Sequence, residues 1–241
     1  MPLSIQYVTS LDAVVDEAVE FLSQPTDLFT SYKIVIPTIG ARSWLADKLA
    51  RRLGSTATGL GDGIVAGVDF SYPGSLSLLV GSYEYENDPW SVQRLTFAVL
   101  DVITKSRDYE WLIQQAGGPL LAARRIADRF DHYHFRRPGM ILGWEAGKPA
   151  LAPMAEEMNG ADNQFIIPLS RSDRWQFDLW RLIRTAIDQP SPPVRDRNAE
   201  GPVPSAVLIA GLEALSLQQT EVLKKLSSLK GENGECCDVR T

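Results

Sequence analysis

The spacing of apolar residues changes several times along this chain, and the sharpest change lies between Lys33 and Gly54. Ile34-Val35-Ile36 is a continuous apolar run, the pattern of a strand buried on both faces. The run breaks at Pro37, and Ala41, Leu45, Leu49 and Leu53 then recur every fourth position, as on one face of a helix. Gly54 stands where a helix favours a C′ glycine, and Arg51-Arg52 suit the negative helix end. Upstream, Leu3 to Val8 predicts a first strand. Ser10 is a good N-cap for a helix running to about Gln24, with Asp12 favourably placed in its first turn. Strand, helix, strand, helix predicts a parallel sheet covered by helices. After the Gly-rich stretch 54–63, Ile64 to Val68 predicts a third strand, which Asp69-Phe70-Ser71-Tyr72-Pro73 ends.

From Ser75 to about Asp188 helical periods dominate: Trp90 to Ile103, Pro119 to Phe135, and Ser172 to Ile187. In the last of these Trp175, Leu179, Leu182, Ile183 and Ala186 form one apolar stripe. Gln189 to Pro204 holds five prolines and alternating charge and predicts an extended connector. Ala206 to Ala210 returns to a buried strand, and Ser216-Leu217-Gln218-Gln219 is a capping box for a helix to about Leu229. The predicted organisation is therefore an α/β core begun by 1–74, a large helical insertion at 75–188, the connector 189–204, and a return to the core at 205–230. Residues 231–241, with one β-branched residue before Thr241, predict an irregular tail. The strand at 206–210 would then lack a neighbour and leave an open edge, making the chain marginal or aggregation-prone.

A hydrophobic content of 44% is ample for a core. Met1 to Val19 contains neither a basic leader nor a long apolar segment, which predicts no signal peptide or membrane span and a cytoplasmic protein. The two cysteines, Cys236 and Cys237, are adjacent, so neither a structural disulfide nor a zinc site is expected. The net charge of −6, from 24 basic and 30 acidic residues, is not that of a free-standing DNA-binding domain. Any nucleic-acid contact must be local or shared with partners.

Strand, tight turn and helix is where P-loop ATPases cradle phosphate, yet the turn PTIGARSWL lacks a second glycine followed by Lys and Ser or Thr. No ammonium reaches a phosphate there and no hydroxyl holds magnesium; an ordinary βα turn shaped by Pro and Gly fits as well. Gly143-Trp144-Glu145-Ala146-Gly147-Lys148-Pro149 resembles a P-loop, but its glycines are one residue too close and Pro149 replaces the hydroxyl. His132 and His134 face different sides of a helix and cannot share a metal, and His134 reads as a satisfied core histidine. No G-x-S-x-G elbow or other catalytic constellation is present. Arg125, Arg129, His132 and Arg136 recur at intervals of four, three and four, with Arg137 just beyond. Opposite them lie Ala123, Ile126, Ala127, Phe130 and Tyr133. The row could track phosphates or dock an acidic partner; a solvated face neutralised by Asp128 and Asp131 is the reading the sequence favours. Trp44, Trp144, Trp175 and Trp180 fall in helical patterns and read as core rather than base-stacking residues.

Three stretches resemble one family. VIPTIGARSWLADKLARRLG, IADRFDHYHFRRPGMILGWEAG at 126–147 and PVPSAVLIAGLEALSLQQTEVLKKL at 202–226 are similar, in this order, to the N-terminal portion of the RecC subunit of bacterial RecBCD helicase–nucleases (exodeoxyribonuclease V gamma chain). The resemblance implies a superfamily 1 helicase-like core that has lost its ATP-binding motif and is interrupted by a helical subdomain. Pro37, Thr38, Gly40, Trp44 and Leu45 would mark the degenerate phosphate-loop position; the arginine row itself, Arg125, Arg129, Arg136 and Arg137, supplies the candidate contacts to DNA or a partner. The resemblance further implies a non-motor scaffold beside RecB-like and RecD-like chains. In that family the subunit helps split duplex ends, guides single strands and takes part in Chi recognition, while ATP and magnesium bind only to partner chains. Family members are several times longer than this chain. Two other classes stay open: a nucleotide-binding enzyme with a non-standard loop, and a truncated remnant without independent function.

Overall fold

The computed structural model describes residues 3–23, 32–53, 65–80, 87–151, 167–201, 203–231 and 236–241. The chain forms two compact units: one of residues 1–82, 199–215 and 219–241, the other of 83–198 and 216–218.

The first unit is α/β. Its sheet holds β1 (Tyr32–Val35), β2 (Val68–Ser71), β5 (Ala206–Ile209) and β6 (Asp238–Arg240) in the order β2-β1-β5-β6, every pairing parallel. Ile34 sits opposite Phe70 on one side and Leu208 on the other. Alternation of side chains then divides the apolar run between two layers. Ile34, Ile36, Leu208 and Ala210 pack with Val15, Ala18 and Phe21 of α1 (Leu11–Leu22) and Leu45 and Leu49 of α2 (Ile39–Leu53). Val35, Val207, Ile209 and Val239 pack on the other face with Leu76 of α3 (Leu76–Leu79) and Val222, Leu223 and Leu226 of α10 (Leu217–Ser228). Ile34, Val35 and Ile36 are each 0% exposed, and each stabilises the layers by roughly 1.5–3 kcal/mol.

Three expectations for this unit need correction. The tail is not irregular: β6 pairs with β5 through Ala206–Asp238, Val207–Val239 and Leu208–Arg240, so β5 is an interior strand. One buried apolar residue, Val239, suffices because Arg240 pairs with Asp238 of the same strand at 3.0 Å and with Glu17 of α1 at 3.3 Å. Residues 3–8 form no strand of their own; they meet β6 at a single bridge, with the Ser4 N–H donating to the Val239 carbonyl at 2.9 Å. The strand expected at 64–68 falls instead at Val68–Ser71; Ile64 and the stretch 54–63 lie outside the described residues. Asp69 is tolerated in that strand because Lys33, its register partner in β1, forms an ion pair with it.

The second unit is helical, with α4 (Val92–Lys105), α5 (Glu110–Ala116), α6 (Pro119–Arg136), α7 (Pro138–Glu145), α8 (Arg174–Ile187) and α9 (Pro192–Arg197). A short antiparallel pair, β3 (Ala150–Leu151) and β4 (Ile167–Pro168), accompanies them. Three fully buried tryptophans centre its core: Trp180 stacks on Trp90 at 6.0 Å and meets Trp144 edge-on at 5.9 Å. The proline-rich connector is not simply extended. Pro192 and Pro193 occupy the first turn of α9, where a missing N–H costs nothing. Glu145 holds this helix in place: its carboxylate accepts from the Ser191 N–H at 2.8 Å and from Arg184 Nε at 3.0 Å. Asp88 and Arg195 pair at 2.8 Å with side chains only 9% exposed. Among the described residues no helix is long and apolar enough to cross a membrane.

His134 is buried as expected, but it is not satisfied. Among the described residues neither ring nitrogen has a hydrogen-bond partner, and the ring lies edge-on to Trp90 at 5.1 Å. Burial, aided by the Arg195 charge, lowers its pKa to about 3. Between about 6.5 and 3 the unfolded chain therefore holds a proton that the folded chain does not, and His134 makes stability fall as pH falls. Asp131, raised to about 6 chiefly by burial, acts oppositely between 3.8 and about 6, where the folded state holds the extra proton. Comparing His134→Phe with the parent chain cancels the Asp131 contribution. The variant should gain relative stability on acidification, by up to about 1.4 kcal/mol per pH unit below about pH 6.5, read by urea unfolding followed through tryptophan fluorescence. A stability difference independent of pH would contradict a buried neutral imidazole.

The interior position of β5 is tested by hydrogen exchange. Amides of Val207, Leu208 and Ile209 should exchange as slowly as those of Ile34 and Val35, whereas fast exchange confined to β5 would restore the open edge.

Candidate functional site

Two sites follow from the sequence, one in each unit. The first is the turn after β1. Pro37 and Thr38 bridge strand and helix, and α2 starts at Ile39. Thr38 Oγ1 accepts from the Ala41 N–H at 3.1 Å, so a threonine hydroxyl caps the helix and takes one of its orphan donors. Gly40 lies inside the first helical turn, has no positive φ, and an added Cβ would meet only Thr38 Oγ1 at 3.8 Å. This glycine therefore does not shape the turn, contrary to expectation. Leu45 is buried and Trp44 half-buried against the α1–α2 layer, while Pro37, Thr38 and Gly40 are exposed. The turn stands at the carboxyl end of β1, between β2 on one side and β5 on the other, the reversal point of the strand order. Open parallel sheets bind ligands at such points, but no cationic side chain of the turn reaches back over it as a P-loop lysine does. Its arginine, Arg42, lies over the Phe70 ring at 5.8 Å.

The second site is the outer face of α6. Local sequence fixes the limits of this helix. Gly117 and Gly118, at φ 84° and 149°, turn the chain out of α5, and Gly117 donates to the Ile113 carbonyl at 3.1 Å. Pro119 then opens α6. Pro138 closes it, forcing Arg137 out of the helical region at φ −139°. Between these stops Ala122, Ala123, Ile126, Ala127, Phe130 and His134 face inward. The opposite side lines an open groove of about 530 Å³ with Arg125, Asp128, Arg129, His132, Tyr133, Arg136 and Arg137.

The arginine spacing thus brings all four expected cations to one groove. Their neutralisation differs from the expectation. Asp128 takes its hydrogen bond from Arg124 Nε at 3.2 Å, one helical turn back. That i,i+4 spacing was legible and was missed. Asp131 forms no ion pair with the described residues and is half-buried on the helix flank. Arg125, Arg129 and Arg136 likewise form no ion pair among the described residues, so the groove keeps its positive charge. Tyr133, assigned from sequence to the buried face, is half-buried and walls the groove. Its hydroxyl donates to Gln176 Oε1 at 2.6 Å, which fixes the ring, and the Arg137 guanidinium lies over that ring at 5.9 Å. Cations with a fixed aromatic wall can hold phosphates or the carboxylates of an acidic surface.

The stretch 143–149 carries nothing of this kind. Trp144 is fully buried, its Nε1 donates to the Ala150 carbonyl at 3.1 Å, and the segment ends α7 rather than following a strand. His132 is exposed and His134 buried, so the two imidazoles face opposite ways. Among the described residues no three His, Cys, Asp or Glu side chains gather as metal ligands.

The family model for the RecC N-terminal domain matches residues 3–230. The chain belongs to this family. RecBCD enzyme subunit RecC of Mycobacterium tuberculosis is 26% identical over 94% of this chain, and its counterpart in Mycolicibacterium smegmatis 25% over 95%. RecBCD enzyme subunit RecC of Haemophilus influenzae is 22% identical over 85% of the chain. The chain spans about a fifth of the length of each of these relatives. Both candidate sites, the βα turn and the α6 groove, lie within the matched RecC N-terminal domain.

The geometry of the turn yields a direct test. Thr38→Ala should cost about 1 kcal/mol of stability in the α/β unit through loss of the cap. Gly40→Ala should be tolerated or stabilising by about 0.5–1 kcal/mol, since glycine is unfavourable inside a helix. A phosphate-cradling loop would give the reverse, with the glycine indispensable; chemical denaturation of the two variants distinguishes these outcomes.

Proposed function

We propose that this chain is the N-terminal part of a non-motor scaffold subunit in a RecBCD-type exodeoxyribonuclease V complex. In this reading it handles DNA during double-strand-break repair and recombination in the cytoplasm. The observation that carries this reading is the RecC N-terminal domain match across residues 3–230. RecB-like and RecD-like chains are the partners, and they supply ATP hydrolysis, magnesium and nuclease chemistry. Double-stranded ends and the single strands released from them are the nucleic-acid ligands.

Two features support this assignment. The α6 groove offers Arg125, Arg129, Arg136 and Arg137 to a polyanion, in a chain whose net charge of −6 argues against binding DNA alone. Phosphate contacts of this kind position a strand without reading its sequence. The second feature is the turn Pro37-Thr38, which follows a central parallel strand as a helicase phosphate loop does, and supplies a helix cap instead of a lysine and a magnesium-binding hydroxyl. On this reading the unit is a superfamily 1 helicase-like core whose phosphate site has become a plain connection. The helical unit that includes α6 is its insertion.

Each part can be tested. Charge reversal by Arg125→Glu, Arg129→Glu and Arg136→Glu together should lower the affinity of the assembled complex for forked DNA by tenfold or more, roughly 1.4 kcal/mol or above, and flatten its salt dependence. Far-ultraviolet circular dichroism should not change, because all three side chains are exposed. Unchanged DNA affinity and unchanged assembly would make the row a solvated face. Separately, the purified chain should neither hydrolyse ATP nor bind it in a magnesium-dependent manner. Hydrolysis that follows the protein through purification and falls when residues 37–45 are altered would favour a nucleotide-binding enzyme.

A further inference from the structure

We draw no further inference here: the strongest candidate, the exposed apolar side chains of Ile5, Tyr7, Val8 and Leu11 on the amino-terminal segment that runs beside β6, carries nothing because nothing in the structure shows what covers them.

Discussion

Burial of β1 on both faces is the constraint on which the α/β unit depends. Three consecutive residues, Ile34, Val35 and Ile36, lose all contact with water, and a strand can achieve this only between two helical layers. Ile34 and Ile36 require α1 and α2 on one side, and Val35 requires α10 on the other. The backbone of β1 must in turn be paired at both edges, which β2 and β5 provide. Because the chain runs from β1 to β2 on one side and returns to β5 on the other, the turn at Pro37 and Thr38 emerges at the reversal of strand order. The position that resembles a ligand site is thus a consequence of packing, whereas its side chains serve the helix cap.

Elements with a strong period were legible without coordinates. The continuous apolar runs of β1 and β5 record burial on both faces, and the three- and four-residue spacing of apolar positions in α2, α6 and α8 records burial of one face. Elements held by tertiary partners left less. β6 reads as polar because its Asp238 and Arg240 are charged, and the acceptors that stabilise Arg240 include Glu17, more than two hundred residues earlier. β2 was displaced from its expected place because Asp69 argues against a strand unless Lys33 is known to lie beside it. For α9 the signal was present: two prolines after Ser191 suit a first helical turn as well as an extended connector, and Glu145 decides between them.

The same division holds for the candidate interface. Arg125, Arg129, His132 and Arg136, at intervals of four, three and four, must share a helix face, so their convergence needed only the helix. Whether they remain available needed the third dimension, because Asp128 could pair with several neighbours and pairs with Arg124. Tyr133 was placed inside by its period, yet the hydrogen bond to Gln176 holds the ring at the groove wall. His134 shows the opposite case: its burial was legible, and its lack of hydrogen bonds among the described residues was not, since partners for both nitrogens depend on side chains from other helices.

The chain belongs to the RecC N-terminal domain family, and the scaffold role proposed for it requires that it dock to partner chains. The most direct measurement is the mass of the particle formed when the purified chain is mixed with the RecB-like and RecD-like chains of the same organism. Sedimentation velocity at submicromolar concentration should reveal a complex that contains this chain in fixed stoichiometry. A chain that sediments alone at every ratio tested, while remaining folded by circular dichroism, would contradict the account.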